Sequence, residues 1–238
     1  MTNAFGGPVQ LYPEVAESTP QQDMDLVRQT LARLDESRIG MLRIYKPRPT
    51  AAFSLRDTVM PRYDEAAVVM RTLGFEPVER RAGGQLAVYD ENALVIDLVA
   101  PHDEPRIQIH ERFKFFSSAI VSALSTMSID ARIGALSGEY CPGDYSVNGE
   151  GRIKLVGLAQ RVVKSGYHLG AVISVTSSDR AKVAVEAACD ILGIAFDPNT
   201  FGALADLAPA MICGKIHQTI QISVLNVIGH KQARASTY

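Results

Sequence analysis

Apolar residues recur at helical spacing in five stretches of the chain, and most of the remainder falls into short β-prone runs. Asp23 caps a run in which Met24, Val27, Leu31 and Leu34 lie three or four apart, closing before Gly40. Residues 62–73 are again amphipathic, with Ala66, Val69, Met70 and Leu73 on one face and Gly74 as the stop. The longest helix is predicted over residues 107–127, where Ile109, Phe113, Phe116, Ile120 and Leu124 keep register. Ser178 caps a fourth helix that reaches Leu192 and ends at Gly193. A fifth is expected over 215–228, with Ile216, Ile220, Val224 and Val227 on one side.

Strands are predicted at 41–45 and 51–55, separated by Pro47 and Pro49. Residues 76–81 lead through Gly83 and Gly84 into 85–89. A short polar turn at 90–92 then precedes the apolar run 93–99, a pattern that reads as an antiparallel hairpin. Further strands are expected at 129–133, 152–163 and 167–175, the last two joined across Ser165 and Gly166. Residues 138–151 hold Gly138, Gly143, Gly149, Gly151 and Pro142, which exclude a helix and predict loop, short strand and turn. Residues 1–20 carry Gly6, Gly7, Pro8, Pro13 and Pro20 without periodicity and are expected to be an irregular arm. The class is therefore α+β: a mixed, largely antiparallel sheet flanked by helices, in one domain over residues 21–238.

Composition narrows the function classes. The chain has 238 residues, 47% hydrophobic and 21% charged, which is the profile of a folded globule. With 24 Lys and Arg against 26 Asp and Glu, the net charge of −2 gives no general attraction to nucleic acid. The apolar runs, such as 93–100 with Asp97 inside it, are shorter than the ~20 residues of a membrane helix. The first residues lack the basic and apolar regions of a secretory signal. Three cysteines (Cys141, Cys189, Cys213) are too few for a disulfide framework, so a cytoplasmic, reduced protein is expected.

Candidate chemistry is local. There is no P-loop pattern, and the histidines are scattered without metal-ligand spacing. Cys189 and Cys213 lie in apolar settings and read as inert buried thiols. In Arg80-Arg-Ala-Gly-Gly-Gln-Leu-Ala-Val-Tyr89, two glycines open a strand to close approach, and two arginines offer donors suited to phosphate or carboxylate. Cys141 sits in a flexible loop, Glu139-Tyr-Cys-Pro-Gly143, where a thiol can be reactive if it is partly exposed and near positive charge. Lys154 follows in Gly151-Arg-Ile-Lys-Leu-Val-Gly-Leu-Ala-Gln-Arg161. Strand alternation there predicts that Arg152 and Lys154 point the same way. A solvated turn and a solvated edge lysine explain the same residues equally well.

Together these segments resemble the lipoate-protein ligase and octanoyltransferase superfamily, relatives of the biotin protein ligases. Residues 80–89 are similar to its arginine–glycine motif and 154–161 to its lysine motif. Residues 139–145 resemble the branch that works through a cysteine acyl-enzyme, the octanoyl amidotransferases. His168-Leu-Gly170 looks like the histidine–glycine segment on the strand after the lysine motif. The likeness runs from about residue 42 to 192. Two positions depart: Ala82 or Gly83 stands where the family has a serine, and Gln85 where ligases tend to have a further glycine. Too few residues follow 192 for the accessory domain that ligases commonly need. Both points favour a transferase.

The resemblance implies a biotin/lipoate protein ligase-like catalytic domain that transfers an octanoyl or lipoyl group to a lysine of a lipoyl domain. Cys141 is implied as the nucleophile that carries the acyl group as a thioester. Lys154 is implied as the donor to the acyl oxygen and as a positive neighbour that favours the thiolate. Arg81, Gly83, Gly84, Gln85, Val156, Gly157 and His168 are implied substrate contacts, with Leu155, Val156 and Leu86 lining an apolar slot. No metal site is implied, and no cofactor is required. The alternative is an ATP-dependent lipoate-protein ligase acting through an acyl-adenylate, needing ATP and Mg. A catalytically inactive binder of lipoyl domains is a third possibility. Implied partners are the glycine-cleavage H protein and the lipoyl domains of 2-oxoacid dehydrogenase acyltransferase subunits, with Arg152, Arg161 and Lys164 as complementary charge.

Overall fold

The computed structural model describes residues 6–13 and 18–208, together with 216, 218–220, 222, 223 and 226. Among the described residues, a seven-stranded sheet holds β1 (Val9–Tyr12), β2 (Gly40–Tyr45), β6 (Ala93–Pro101), β7 (Ala131–Ile133), β8 (Val147–Gly149), β9 (Ile153–Val163) and β10 (Gly166–Ser174). Its spatial order is β1-β2-β6-β10-β9-β8-β7; β1 runs parallel to β2 and every other pair is antiparallel. A three-stranded sheet places β3 (Thr50–Ser54) between β4 (Glu76–Arg80), parallel, and β5 (Ala87–Tyr89), antiparallel. The α+β class and the predominantly antiparallel large sheet agree with the sequence expectation.

Among the described residues, the helices of ten or more residues that cover the sheets are α1 (Pro20–Ser37), α2 (Tyr63–Thr72), α3 (Ile109–Thr126) and α4 (Asp179–Leu192). The core side of the large sheet buries Leu98, Leu169 and Ile173 against Phe116, Ile120 and Leu124 of α3. On the opposite side, Met41 and Val99 meet Val27, Leu31 and Leu34 of α1. Covered on both faces, β6 is buried along all nine residues, which is why its sequence reads as a continuous apolar run. The small sheet buries Phe53 and Val88 against Met70 of α2 and Val185 of α4.

Three local expectations change. Residues 9–12, predicted irregular, form β1; their largely exposed side chains carry no hydrophobic pattern, so only the backbone pairing with β2 reveals the strand. The cap of α1 is Thr19, whose hydroxyl accepts from Gln22 N–H at 3.2 Å while the Gln22 side chain accepts from Thr19 N–H at 2.8 Å. Residues 85–99 are not a hairpin, because β5 and β6 belong to different sheets. The turn between them is bound instead to α4: Ser178 Oγ donates to Asp90 at 2.6 Å, and Val175 N–H donates to the Asn92 carbonyl at 3.0 Å. Of the helix expected at 215–228, residues 216, 218–220, 222, 223 and 226 are helical, with Ile216 and Ile220 buried; the rest of it lies outside the described residues, as does Cys213. Gly193 does end α4 in the left-handed conformation. Among the described residues, no helix is long and apolar enough to cross a membrane.

Asp23, displaced from its expected capping role, instead fastens α1 to the sheet. Its carboxylate lies 2.6 Å from Arg43 Nη1, with both side chains all but inaccessible. Removing one partner leaves the other charge buried alone, so Asp23→Ala should cost about 3–5 kcal/mol. The check is a urea titration: the midpoint falls sharply with little change in slope, and an unchanged midpoint would show that the pair contributes nothing.

Candidate active site

The cysteine loop is built from both ends. At its start, Glu139 is buried; one carboxylate oxygen accepts from Leu136 N–H at 3.0 Å, and the other lies 3.0 Å from Lys154 Nζ. At its end, Tyr145 stacks on Phe113 of α3 with ring centroids 5.3 Å apart, and Ser117 Oγ donates to the Tyr145 carbonyl at 2.9 Å. Between these anchors Cys141 has φ +48°, left-handed backbone that is strained for a residue with a Cβ. The thiol is half-buried.

Lys154 reaches this loop through an irregularity of its strand. The β8–β9 register steps from Val147 opposite Val156 to Asn148 opposite Lys154, leaving Leu155 as the extra residue of a bulge. Ile153, Leu155 and Val156 therefore all pack into the core, while Lys154 and Gly157 face the other side. Lys154 is only 5% exposed. Its Nζ donates to Glu139 and also to the carbonyls of Tyr140 at 2.9 Å and Cys141 at 2.6 Å. A Cβ at Gly157 would lie 3.7 Å from the lysine Cε, in ordinary van der Waals contact with its stem. The expectation that Arg152 and Lys154 point the same way fails. Arg152 precedes β9 and is exposed, pairing with Glu150 at 2.5 Å.

The sulfur itself faces the arginine–glycine turn. Gln85 N–H donates to Cys141 Sγ at 3.1 Å, and Arg80 Nη2 lies 3.8 Å from it while also donating to the Gln85 carbonyl. Gly84, with φ +94°, makes this approach possible: a Cβ there would be 2.9 Å from both Sγ and the Arg80 guanidinium. Gly83 donates its N–H to the Gln160 carbonyl at 3.2 Å, tying the turn to β9.

Cys141 and Lys154 border a cavity of about 620 Å³ between α1, the small sheet and the α1-facing side of β6, β9 and β10. Its walls include Met24, Val27 and Leu31 of α1 with Val95 and Val172 of the sheet. The volume falls within the range of small-molecule sites. On its floor His168 Nε2 lies 2.7 Å from Asp97 Oδ1, and the ring leans over Gly170, where a Cβ would be 3.1 Å from it. Gly157, His168 and Leu155 border the cavity. Val156 and Leu86, expected to line an acyl slot, do not; the bulge turns Val156 into the main core, and Leu86 packs with the α2–α4 core. Arg81 stands half-exposed at the rim, 3.5 Å from Glu79, whereas its neighbour Arg80 meets the sulfur. Arg161 and Lys164 are also at the rim, and Arg152 is not among the lining residues.

A model of the lipoyl protein ligase A/B catalytic domain matches residues 19–188. The chain belongs to this family. An octanoyl-[GcvH]:protein N-octanoyltransferase of an Exiguobacterium species is 28% identical over 156 residues, covering 66% of this chain and 55% of the relative. The enzyme of that name from Geobacillus kaustophilus is 28% identical over 143 residues, covering 60% and 50%. The chain thus spans about half the length of the curated relatives it matches. Among solved structures, lipoate-protein ligase A bound with ATP superposes with a TM-score of 0.67 at 16% identity, covering 94% of this chain and 86% of the other. A bi-partite lipoate protein ligase of Thermoplasma acidophilum, described with its E2 lipoyl domain, gives 0.66 at 16% identity, covering 94% and 84%. These likenesses establish the lipoyl ligase fold.

Within this family fold, sequence reasoning leaves Glu139 and Asp97 without a role, and it reads Arg80 only as a donor to phosphate or carboxylate, not as the arginine that meets the sulfur. Each has a signal. Asp97 is the one charge inside an apolar run, and Arg80 lies two positions after Val78, on the inward side of a strand. Glu139 shares a loop with Cys141 but shows its role only through contacts.

Cys189 is buried in the α2–α4 core, and that burial, with Asp57 and Cys141 nearby, pushes its thiol up to about 12. The thiolate is the reactive form, and a thiol stays protonated below its pKa. At pH 8, therefore, iodoacetamide should modify Cys141 and leave Cys189 intact in the folded protein. Peptide mass mapping checks this, and ready labelling of Cys189 would contradict the burial argument.

Proposed function

We propose that this protein is an acyltransferase of protein lipoylation, carrying an octanoyl or lipoyl group on Cys141 between two carrier proteins. The observation that carries the reading is the half-buried sulfur, hydrogen-bonded by Gln85 N–H, at the wall of a cavity large enough for a medium-length acyl chain. The names of its relatives support octanoyl transfer, and they add the source of the acyl group, a GcvH-type carrier. The T. acidophilum neighbour, described with an E2 lipoyl domain, supports a lipoyl-domain acceptor. Lipoyl domains of 2-oxoacid dehydrogenase acyltransferase subunits belong to the same proposal.

The reaction divides into two exchanges at one sulfur. Cys141 Sγ attacks the carbonyl carbon of the acyl-lysine amide on the donor. The C–S bond forms as the carbonyl electron pair moves to oxygen. Collapse of that adduct breaks the C–N bond, and the departing lysine amine takes up the proton that the thiol gave up. The neutral amine of the acceptor lysine then attacks the thioester; a C–N bond forms, the C–S bond breaks, and the proton lost by nitrogen returns to sulfur. One lysine amide replaces another, which is nearly thermoneutral and needs no nucleotide. Each buried methylene of the chain adds roughly 0.8 kcal/mol to binding in the cavity. Arg161 and Lys164 at the rim supply positive charge for an acidic carrier surface.

Intact-mass analysis after mixing with an octanoylated GcvH-type donor should show one octanoyl adduct, absent in Cys141→Ala. Transfer to a lipoyl domain should proceed without ATP. Full-rate transfer by Cys141→Ala would remove the nucleophile assignment, and strict dependence on ATP and free octanoate would favour the ligase.

A further inference from the structure

We propose that His168, oriented by Asp97, forms a polar subsite inside the acyl cavity that favours a medium-length acyl chain bearing a hydroxyl group over the plain octanoyl chain. The inference rests on the acyl-transfer reading above and concerns only the body of the chain. Cys141 and Lys154 keep the reacting carbonyl.

The pair sits where packing alone calls for an aliphatic residue. Val95 and Val99 flank Asp97 on the α1-facing side of β6, and Met24, Val27 and Leu31 of α1 lie over that side. Asp97 is nevertheless there, 5% exposed, with its Oδ2 sealed in and without a hydrogen-bond partner. Burying a carboxylate whose bonding capacity is only partly met is costly. Burial first, and then the Asp97 charge, push the hydroxyls of Tyr45 and Tyr89 above the usual tyrosine range, and both rings border the cavity.

The geometry of the pair leaves one atom unused. An ionised carboxylate only accepts, so His168 Nε2 carries the proton it donates to Asp97 Oδ1 at 2.7 Å. Nδ1 has no hydrogen-bond partner among the described residues, yet it is not one of the polar atoms sealed in the protein. The His168 side chain keeps 12% of its surface open and borders the cavity. In the neutral ring Nδ1 accepts from an O–H, and in an imidazolium it donates to the hydroxyl oxygen. A hydroxyl satisfies either form, whereas a methylene satisfies neither. Gly170 leaves space for the ring, since a Cβ there would lie 3.1 Å from His168 Cε1 and 3.7 Å from Asp97 Oδ1.

The subsite lies beyond the reacting end of the cavity. Gly157, beside the Lys154 stem, is level across the sheet with Val172 and Val95. Asp97 is two residues farther along β6, about 7 Å at the rise of an antiparallel strand. His168, paired with Val99, lies farther the same way. An acyl chain running along this wall from a carbonyl at Lys154 therefore meets the pair with its later carbons.

The probes are Nα-acetyl-lysine acylated on Nε with octanoyl, or with octanoyl groups carrying one hydroxyl at successive carbons. Affinity is measured by calorimetry on Cys141→Ala, which cannot form the thioester. At least one hydroxylated probe should bind about tenfold tighter than the octanoyl probe. Adding Asp97→Leu and His168→Leu together replaces both polar partners by apolar groups and should abolish or reverse that preference. Asp97→Asn, whose amide oxygen still accepts from Nε2, should keep most of it. Intact mass of wild-type protein mixed with GcvH-type donors carrying the same acyl groups tests the thioester separately.

If the octanoyl probe binds as tightly as every hydroxylated one, the proposal is overturned, and a water is the simpler occupant at Nδ1. A preference that survives the paired leucine substitutions overturns it as well. Should the preference behave as expected while no donor yields an adduct, the subsite stands and the thioester reading falls.

Discussion

A buried ion pair, Glu139 with Lys154, holds the cysteine loop to the large sheet. Two charges taken out of water are tolerated only when their remaining hydrogen-bonding capacity is met. Here it is met by the loop backbone: Leu136 N–H reaches the carboxylate, and the Tyr140 and Cys141 carbonyls reach the lysine. The pair therefore does more than attract; it fixes the course of the chain through Cys141. The bulge at Leu155 is what allows it, because a regular strand that buries Ile153 and Leu155 would bring Gly157 to the same core.

The cavity follows from the same sheet having two different faces. One side of β6, β9 and β10 packs against α3 with large aliphatic and aromatic side chains. The other side carries Gly157, Gly170, Val172 and His168, and small residues there leave a gap beneath α1. The buried Asp23–Arg43 pair sets α1 against the sheet at one end of that gap, and Leu34 packs against Met41 and Val99 at the other. Within an otherwise largely apolar wall, the His168–Asp97 pair is a polar feature that no core-packing requirement explains.

Much of the fold was legible because its signals are local. The helices α1 to α4 are amphipathic, α4 ends on a glycine, and long apolar or alternating runs mark β6, β9 and β10. What escaped had no side-chain pattern: β1 is exposed on an edge, and the capping pair Thr19–Gln22 was masked by Asp23, an equally good capping residue one turn later. The turn at residues 90–92 has the composition of a hairpin, yet its polar groups are satisfied by α4, so β5 and β6 diverge into separate sheets.

The chain's motifs by themselves determined which residues meet: the arginine–glycine turn, the cysteine loop and the lysine strand converge, as their family resemblance implies. The tertiary structure alone decided how they are arranged. Whether Arg80 or Arg81 faces the sulfur depends on the phase of β4. The direction of Lys154 depends on a one-residue bulge, and its pairing with Glu139 depends on the course of the cysteine loop. Such details are set by contacts between segments far apart in the chain. Periodicity and spacing describe each segment separately and cannot contain them.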